Sequence, residues 1–220
     1  MGCCHLLEDG EASVMIDTGM VGEPFFIRRL VRRLGLKSNS IKAILLTHGH
    51  LDHAGNLAWL KRWTGAMILA HPEEQLHVNG TYPYQGINRW CGRLEAAGRL
   101  LFRYRPATID EFIHDGQELP FWGGLRVIHL PGHTKGHCGF YSAKHDLLFS
   151  GDLFASYFFN VHRPPAILNS VPELFPISVE KVRRLNPRWL VPSHYDFLDG
   201  ELHRKRFAQL YGMGRQSSPR

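Results

Sequence analysis

The 220-residue chain has a net charge of +6, 44% hydrophobic residues, 21% charged residues and 11% aromatics. Such a balance fits an ordinary folded globule with a real core and excludes a disordered or low-complexity chain. No window of about 18 apolar residues occurs, which excludes a membrane-spanning helix and a membrane partner of that kind.

The opening MGCCHLLEDG lacks the basic and apolar regions of a secretory signal, and Leu6 stands where a myristoylation motif requires Ser or Thr. Four cysteines, Cys3, Cys4, Cys91 and Cys138, show no CxxC spacing and read as reduced thiols of a cytoplasmic protein. The alternation of ASVMIDTGM predicts a strand over 12–20 that ends in a tight turn at Asp17, Thr18 and Gly19. Residues 23–36 place Phe26, Leu30 and Leu34 at spacing four with Arg28, Arg29, Arg32 and Arg33 opposite. That spacing predicts an amphipathic helix closed by Gly35, with a basic face that would suit a homodimer contact.

IKAILLTH predicts a buried strand over 41–48, NLAWLKRWTG a helix over 56–65, and AMILAHP another strand over 66–72. Strand, helix, strand, helix, strand is an α/β order, with helices packed on a sheet. Residues 73–115 have turn signals, scattered aromatics and no clean period, the pattern of a lid or substrate-loop insertion. Tyr82, Tyr84, Trp90, Phe102 and Tyr104 would there form an apolar wall for an acyl chain, or simply bury the insertion. Beyond it, 116–133 and 139–152 read as strand pairs, 178–196 as helix, turn and strand, and 200–214 as a last helix. One domain over 1–212 is expected, with 213–220 a disordered tail. The basic runs, including Arg204, Lys205 and Arg206, suit solvated helix faces and an anionic small-molecule substrate better than nucleic acid.

The stretch LLTHGHLDHAG, 45–55, gathers His48, His50, Asp52 and His53 at the end of an apolar strand. Alternate residues of an extended strand end point the same way, so His48 and His50 can grip one ion. Asp52 and His53 follow where the chain bends, and face a neighbouring position. His133, Asp152 and His194 each stand just past an apolar strand, at the junctions from which α/β folds assemble sites. Five imidazoles and two carboxylates suit Zn²⁺, Fe or Mn without any thiolate. The remaining histidines, among them His71, His77, His114, His129, His137, His145, His162 and His203, are read as surface or packing residues, with His71 and His137 near the site loops.

The set HGHLDH, PGHTKGH, SGD and PSHYD, with IDTG upstream, resembles the metallo-β-lactamase superfamily over about 11–198. The resemblance implies an αββα sandwich of two mixed β-sheets flanked by helices. It implies two divalent metal ions, zinc first, with iron or manganese as alternatives. His48, His50 and His133 would hold one ion, Asp52, His53 and His194 the other, and Asp152 would bridge them. Asp17 would support the ligands from behind. Asp52 would also be catalytic, orienting the nucleophile. Two cations sharing a water lower its pKa from 15.7 to about 7, so a bridging hydroxide would attack an ester, thioester or lactone carbonyl. Tyr157 and Tyr195 flank ligand motifs and are candidates to bind substrate and donate to its oxyanion.

Glyoxalase II-like and lactonase-like small hydrolases share this ligand set. Only 26 residues (220 − 194) follow His194, too few for the glutathione-binding helical region of the former. The alternatives are a persulfide-dioxygenase-like oxidoreductase with one iron on His48, His50 and His133, and a phosphodiesterase or nuclease. The family usually carries a strand before the one leading to IDTG; about ten residues precede it here, which suggests a truncated start.

Overall fold

A computed structural model describes residues 4–10, 12–20, 22, 24–81, 89–158 and 160–212, without the side chain of Cys91. The first sheet contains β1 (His5–Asp9), β2 (Ala12–Ile16), β3 (Ile41–Leu45), β4 (Met67–Ala70) and β5 (Glu111–Phe112), in that spatial order. β1 runs antiparallel to β2, and β2, β3, β4 and β5 pair in parallel. The second sheet has the order β10 (Asn160–His162), β9 (Leu147–Tyr157), β8 (Cys138–Ser142), β7 (Leu125–His129), β6 (Glu118–Leu119). β11 (Trp189–Tyr195) lies parallel to β9.

Period-two alternation sorts each strand between two cores. In β3 and the residue after it, Ile44 and Leu46 face the helices α1 (Pro24–Arg33) and α3 (Leu57–Thr64), where Ile27, Val31, Leu57 and Leu60 cover them. Ala43 and Leu45 point the other way and meet Val127, Phe140, Phe149 and Val191 of the second sheet. On that sheet's outer face, Ile128, Leu148 and Leu190 pack against Val182 of α6 (Phe175–Leu185) and Phe207 of α7 (Gly200–Leu210). The layers are therefore helix, sheet, sheet, helix, the αββα sandwich with two mixed sheets.

Three expectations are corrected. In α1 the seam is Ile27 and Val31, while Phe26, Leu30 and Leu34 are exposed. Both sets have spacing four and differ by about 100° around the helix, so spacing alone could not choose between them. Residues 73–115 are not irregular throughout: among the described residues they hold α4 (Gln75–Val78) and the thirteen-residue α5 (Arg89–Leu101). Finally, the residues before Ala12 already form the strand β1, paired residue for residue with β2. α2 (Leu51–Ala54) is a single turn that follows β3 and carries Asp52 and His53. Among the described residues, no helix is long and apolar enough to cross a membrane. Tyr82, Tyr84 and the tail 213–220 lie outside the described residues.

Candidate metal centre

The loop after β3, α2, the loop after β7, the middle of β9 and the end of β11 converge on one point. His48, His50 and His133 bring one ring nitrogen each within 4.8 Å of one another, and a carboxylate oxygen of Asp52 does the same with one ring nitrogen each of His53 and His194. Asp152 stands between the two groups. Its oxygens lie 3.4 Å from His53 Nε2, 3.4 Å from His133 Nε2 and 3.1 Å from His194 Nε2. All seven residues expected as ligands are thus brought together, from four separate segments.

The protons of His48, His53 and His133 are each placed by a partner on the outer side of the ring. Asp17 Oδ2 accepts from Thr47 Oγ at 2.8 Å and from His53 Nδ1 at 2.8 Å, and its Oδ1 accepts from the Thr47 amide at 2.8 Å. Because the Thr47 hydroxyl donates to Asp17, it accepts from His48 Nδ1 at 3.0 Å. Asn169 Oδ1 accepts from His133 Nδ1 at 2.9 Å. The inward Nε2 atoms of His48, His53 and His133 are thereby the positions left for a metal, which binds an imidazole through a deprotonated ring nitrogen. Asp17 thus stands behind His53 and, through Thr47, behind His48, in a left-handed conformation, φ 58°, that Asp tolerates better than most residues.

Buried polar atoms normally find partners. Here His53 Nε2, His133 Nε2 and Asp152 Oδ1 are buried and make no hydrogen bond. The His48 and His50 ring nitrogens that face each other lie 3.1 Å apart, close to the separation of two ligands on one ion about 2.0–2.1 Å from each. The donor set fits cations. Its electrostatics agree. Burial, helped by neighbouring imidazoles, pushes His48 and His50 well below their ordinary 6.5, and burial lowers His133. Burial also works against charge on His53 and His194, but the carboxylates around them outweigh it and raise both. Burial of Asp152 is likewise overcome, by His53 and His194, which hold its carboxyl well below the usual range.

Several contributors carried no sequence signal, or a misread one. Buried His137, taken as a packing residue, donates from Nδ1 to the Leu130 carbonyl at 2.9 Å, so its Nε2 accepts the Asp152 amide at 2.9 Å. It fits because Gly151, at φ 54°, has no Cβ to strike it. His77, also expected at the surface or in packing, is buried 5.5 Å from the His50 ring. Buried Glu74 takes the Gly49 amide at 2.7 Å on Oε2, and the Thr134 hydroxyl at 2.6 Å and Gly136 amide at 2.9 Å on Oε1. One carboxylate thereby ties the loop of His48 and His50 to the loop of His133. From α5, Arg99 donates to the Gly49 carbonyl at 2.6 Å and to Glu95 at 3.1 Å.

A pocket of about 160 Å³ opens over the cluster, and Tyr157 lines it with Phe154, Pro164 and Leu168. Tyr195 does not reach it: the ring packs between His5 and His203 on the core side of β11. Of the expected aromatic wall, the described residues Trp90, Phe102 and Tyr104 are absent from its lining too. Trp90 and Phe102 are exposed, and Tyr104 lies under Arg99, 4.0 Å from its guanidinium, and donates to the Val78 carbonyl. His71 stacks on His129 with ring centroids 4.3 Å apart and stays a packing residue.

The sequence profile of the metallo-beta-lactamase superfamily matches residues 2–194. The chain belongs to that superfamily. Over 159 residues it is 34% identical to the probable metallo-hydrolase YybB of Bacillus subtilis, an overlap of 72% of this chain and 64% of that protein. Over 158 residues it is 30% identical to the hydroxyacylglutathione hydrolase GloC of Haemophilus influenzae, 69% of this chain and 65% of that one. The chain thus spans just under two thirds of the length of these relatives. The solved structure of TTHA1623 in a di-iron-bound form superposes with a TM-score of 0.65 at 28% identity, covering 87% of this chain and 86% of that one. The superfamily's fold therefore extends to this chain.

Proposed function

We propose that the protein is a hydrolase with two divalent metal ions, acting on the carbonyl of a small ester, thioester or lactone. His48, His50 and His133 would hold one ion, Asp52, His53 and His194 the second, with Asp152 shared. The observation that carries this reading is the convergence of these seven donors with the imidazole protons turned outward by Asp17, Thr47 and Asn169. The names of YybB, a metallo-hydrolase, and GloC, a hydroxyacylglutathione hydrolase, support hydrolysis. Zinc is the first expectation; the nitrogen and oxygen donors accept iron equally, and TTHA1623 binds two irons.

Bound there, such ions supply Lewis acidity toward the carbonyl oxygen and acidify a water molecule. The chain's own residues do the rest. Asp52 keeps 27% of its side chain exposed and lies 3.5 Å from His194 Nε2, so it faces both the cluster and the pocket. There it orients the attacking water and accepts its proton. Tyr157 stands on the pocket wall, its ring stacked on His162 at 5.0 Å, where its hydroxyl can donate to the developing oxyanion. Phe154, Pro164 and Leu168 exclude water beside the reacting carbonyl.

Metal analysis and activity test this together. Purified protein is expected to contain close to two ions per chain and to hydrolyse p-nitrophenyl esters, thioesters or lactones, with chelation or His50→Ala abolishing turnover. One ion per chain, or ester hydrolysis indifferent to chelator and to His50→Ala, overturns the reading.

A further inference from the structure

The net charge of +6 is concentrated in one segment. Residues 24–42 hold Arg28, Arg29, Arg32, Arg33, Lys37 and Lys42 and no Asp or Glu, which leaves 20 basic side chains (26 − 6) against 20 acidic ones in the rest of the chain. All six are exposed. Four belong to α1, which buries only Ile27 and Val31, in the core between the first sheet and its helices. Among the described residues, no ion pair takes up the charge of these arginines. Arg28 lies over the Trp63 ring, 5.9 Å from its centroid.

Apolar side chains stand among these charges. Phe25, Phe26 and Leu30 are 63%, 67% and 45% exposed, and the two phenylalanine rings meet edge to face at 5.7 Å. At about 100° per residue, Phe25, Phe26, Arg29, Arg32 and Arg33 share the half of the helix opposite Ile27 and Val31. Phe25, Arg29, Arg32 and Arg33 line a hollow of about 380 Å³ there.

A second copy docked two-fold on this face would set arginines against arginines. A nucleic acid would neutralise them but has no apolar layer to receive Phe25, Phe26 and Leu30. A bilayer interface answers both halves of the pattern. Phosphodiester oxygens match the guanidinium forks, the long arginine stems reach up to them, and the phenylalanines enter the acyl boundary. We propose that the outward face of α1 is a docking surface for an anionic phospholipid bilayer, with the helix lying in the headgroup plane and Phe25 and Phe26 inserted. The proposal is independent of the hydrolase reading above.

Co-sedimentation of the 220-residue protein with vesicles tests it. Partition onto equimolar phosphatidylglycerol and phosphatidylcholine should exceed that onto phosphatidylcholine alone by about tenfold or more, and should fall at least tenfold in about 1 M NaCl. Arg29→Gln with Arg33→Gln should weaken it by about twentyfold, at about fivefold for each arginine. Phe25→Ser with Phe26→Ser should weaken it by about tenfold and leave the salt dependence in place. Both pairs are exposed, so the Tm should stay within about 3 °C of the parent. Equal partition onto the two kinds of vesicle overturns the proposal, as does binding that both double variants leave unchanged. Tighter capture of a single-stranded oligonucleotide, lost in the same arginine variant, would assign the face to nucleic acid and overturn it. So would a dimer in sedimentation velocity that Phe25→Ser with Phe26→Ser dissociates, which would assign the face to a second copy.

Discussion

Glu74→Leu is the most informative single perturbation. The carboxylate is fully buried and accepts the Gly49 amide, the Gly136 amide and the Thr134 hydroxyl, at 2.7, 2.9 and 2.6 Å. Leucine has similar bulk and no acceptor. Two backbone donors would be left buried and unpaired, at about 1–3 kcal/mol each, while the hydroxyl can turn elsewhere. Release from burying a carboxylate, which pushes Glu74 above its ordinary range, offsets part of this. The net loss is about 2–5 kcal/mol, and at about 2–4 °C per kcal/mol for a chain of this size the Tm falls by roughly 5–15 °C. Gly49 lies between His48 and His50, and Gly136 three residues from His133, so zinc affinity should also fall, by about 10–100-fold.

Thermal unfolding by circular dichroism and competition with a chromophoric chelator read the two effects. A double-mutant cycle with Thr134→Val separates them from general damage: that change should cost about 1 kcal/mol alone and close to nothing beside Glu74→Leu, where its partner is already gone. A Tm within about 2 °C of the parent, or a Thr134→Val cost equal in both backgrounds, refutes the reasoning.

Metal-free protein should gain stability on titration with Zn²⁺ or Fe²⁺, by about 2.7 kcal/mol at a hundredfold excess over Kd; a Tm indifferent to metal would remove the basis for the centre. Burial holds the His77 imidazole down to about 4 from its ordinary 6.5. The unfolded state therefore binds more protons as pH falls below 6.5, and stability of the metal-free protein should drop by about 1.4 kcal/mol per pH unit on this account until pH nears 4. Denaturant midpoints at pH 7, 6 and 5 measure it, and a slope that His77→Gln leaves unaltered speaks against the assignment. On α1, Ile27→Ala should cost about 2–4 kcal/mol, whereas Phe26→Ser, at a side chain 67% exposed, should stay within about 0.5 kcal/mol. Equal costs would mean the helix is rotated from the seam described.

The sequence made the donors legible because ligation demands residue types that few other roles need. His48, His50 and Asp52 stand out in any reading, and His133, Asp152 and His194 follow from their strand-end positions. The strands β2, β3 and β4 were equally legible, since burial on both faces leaves nearly continuous apolar runs. α5 was not, because it inverts the usual pattern. Its inward side carries buried Arg99, while Trp90, Leu94, Leu100 and Leu101 face outward. A period search looks for apolar residues turned to the core, and this helix has polar ones there. His137 and Glu74 were illegible for another reason: each acts through hydrogen bonds to backbone amides of distant segments, and amides leave no trace in residue identity.

The inverted helix changes what residues 73–115 do. A lid would leave the cluster to be shaped by substrate. Instead the peptide unit at Gly49 is gripped from both sides, its amide by Glu74 and its carbonyl by Arg99, both residues of that segment. Gly49 must be glycine, since a Cβ would collide with His77 Cβ. Arg99 is in turn held by Glu95 and by the Tyr104 ring. The spacing of His48 and His50 is thus set by packing and hydrogen bonds within the protein, ahead of any ligand, as preorganised sites require.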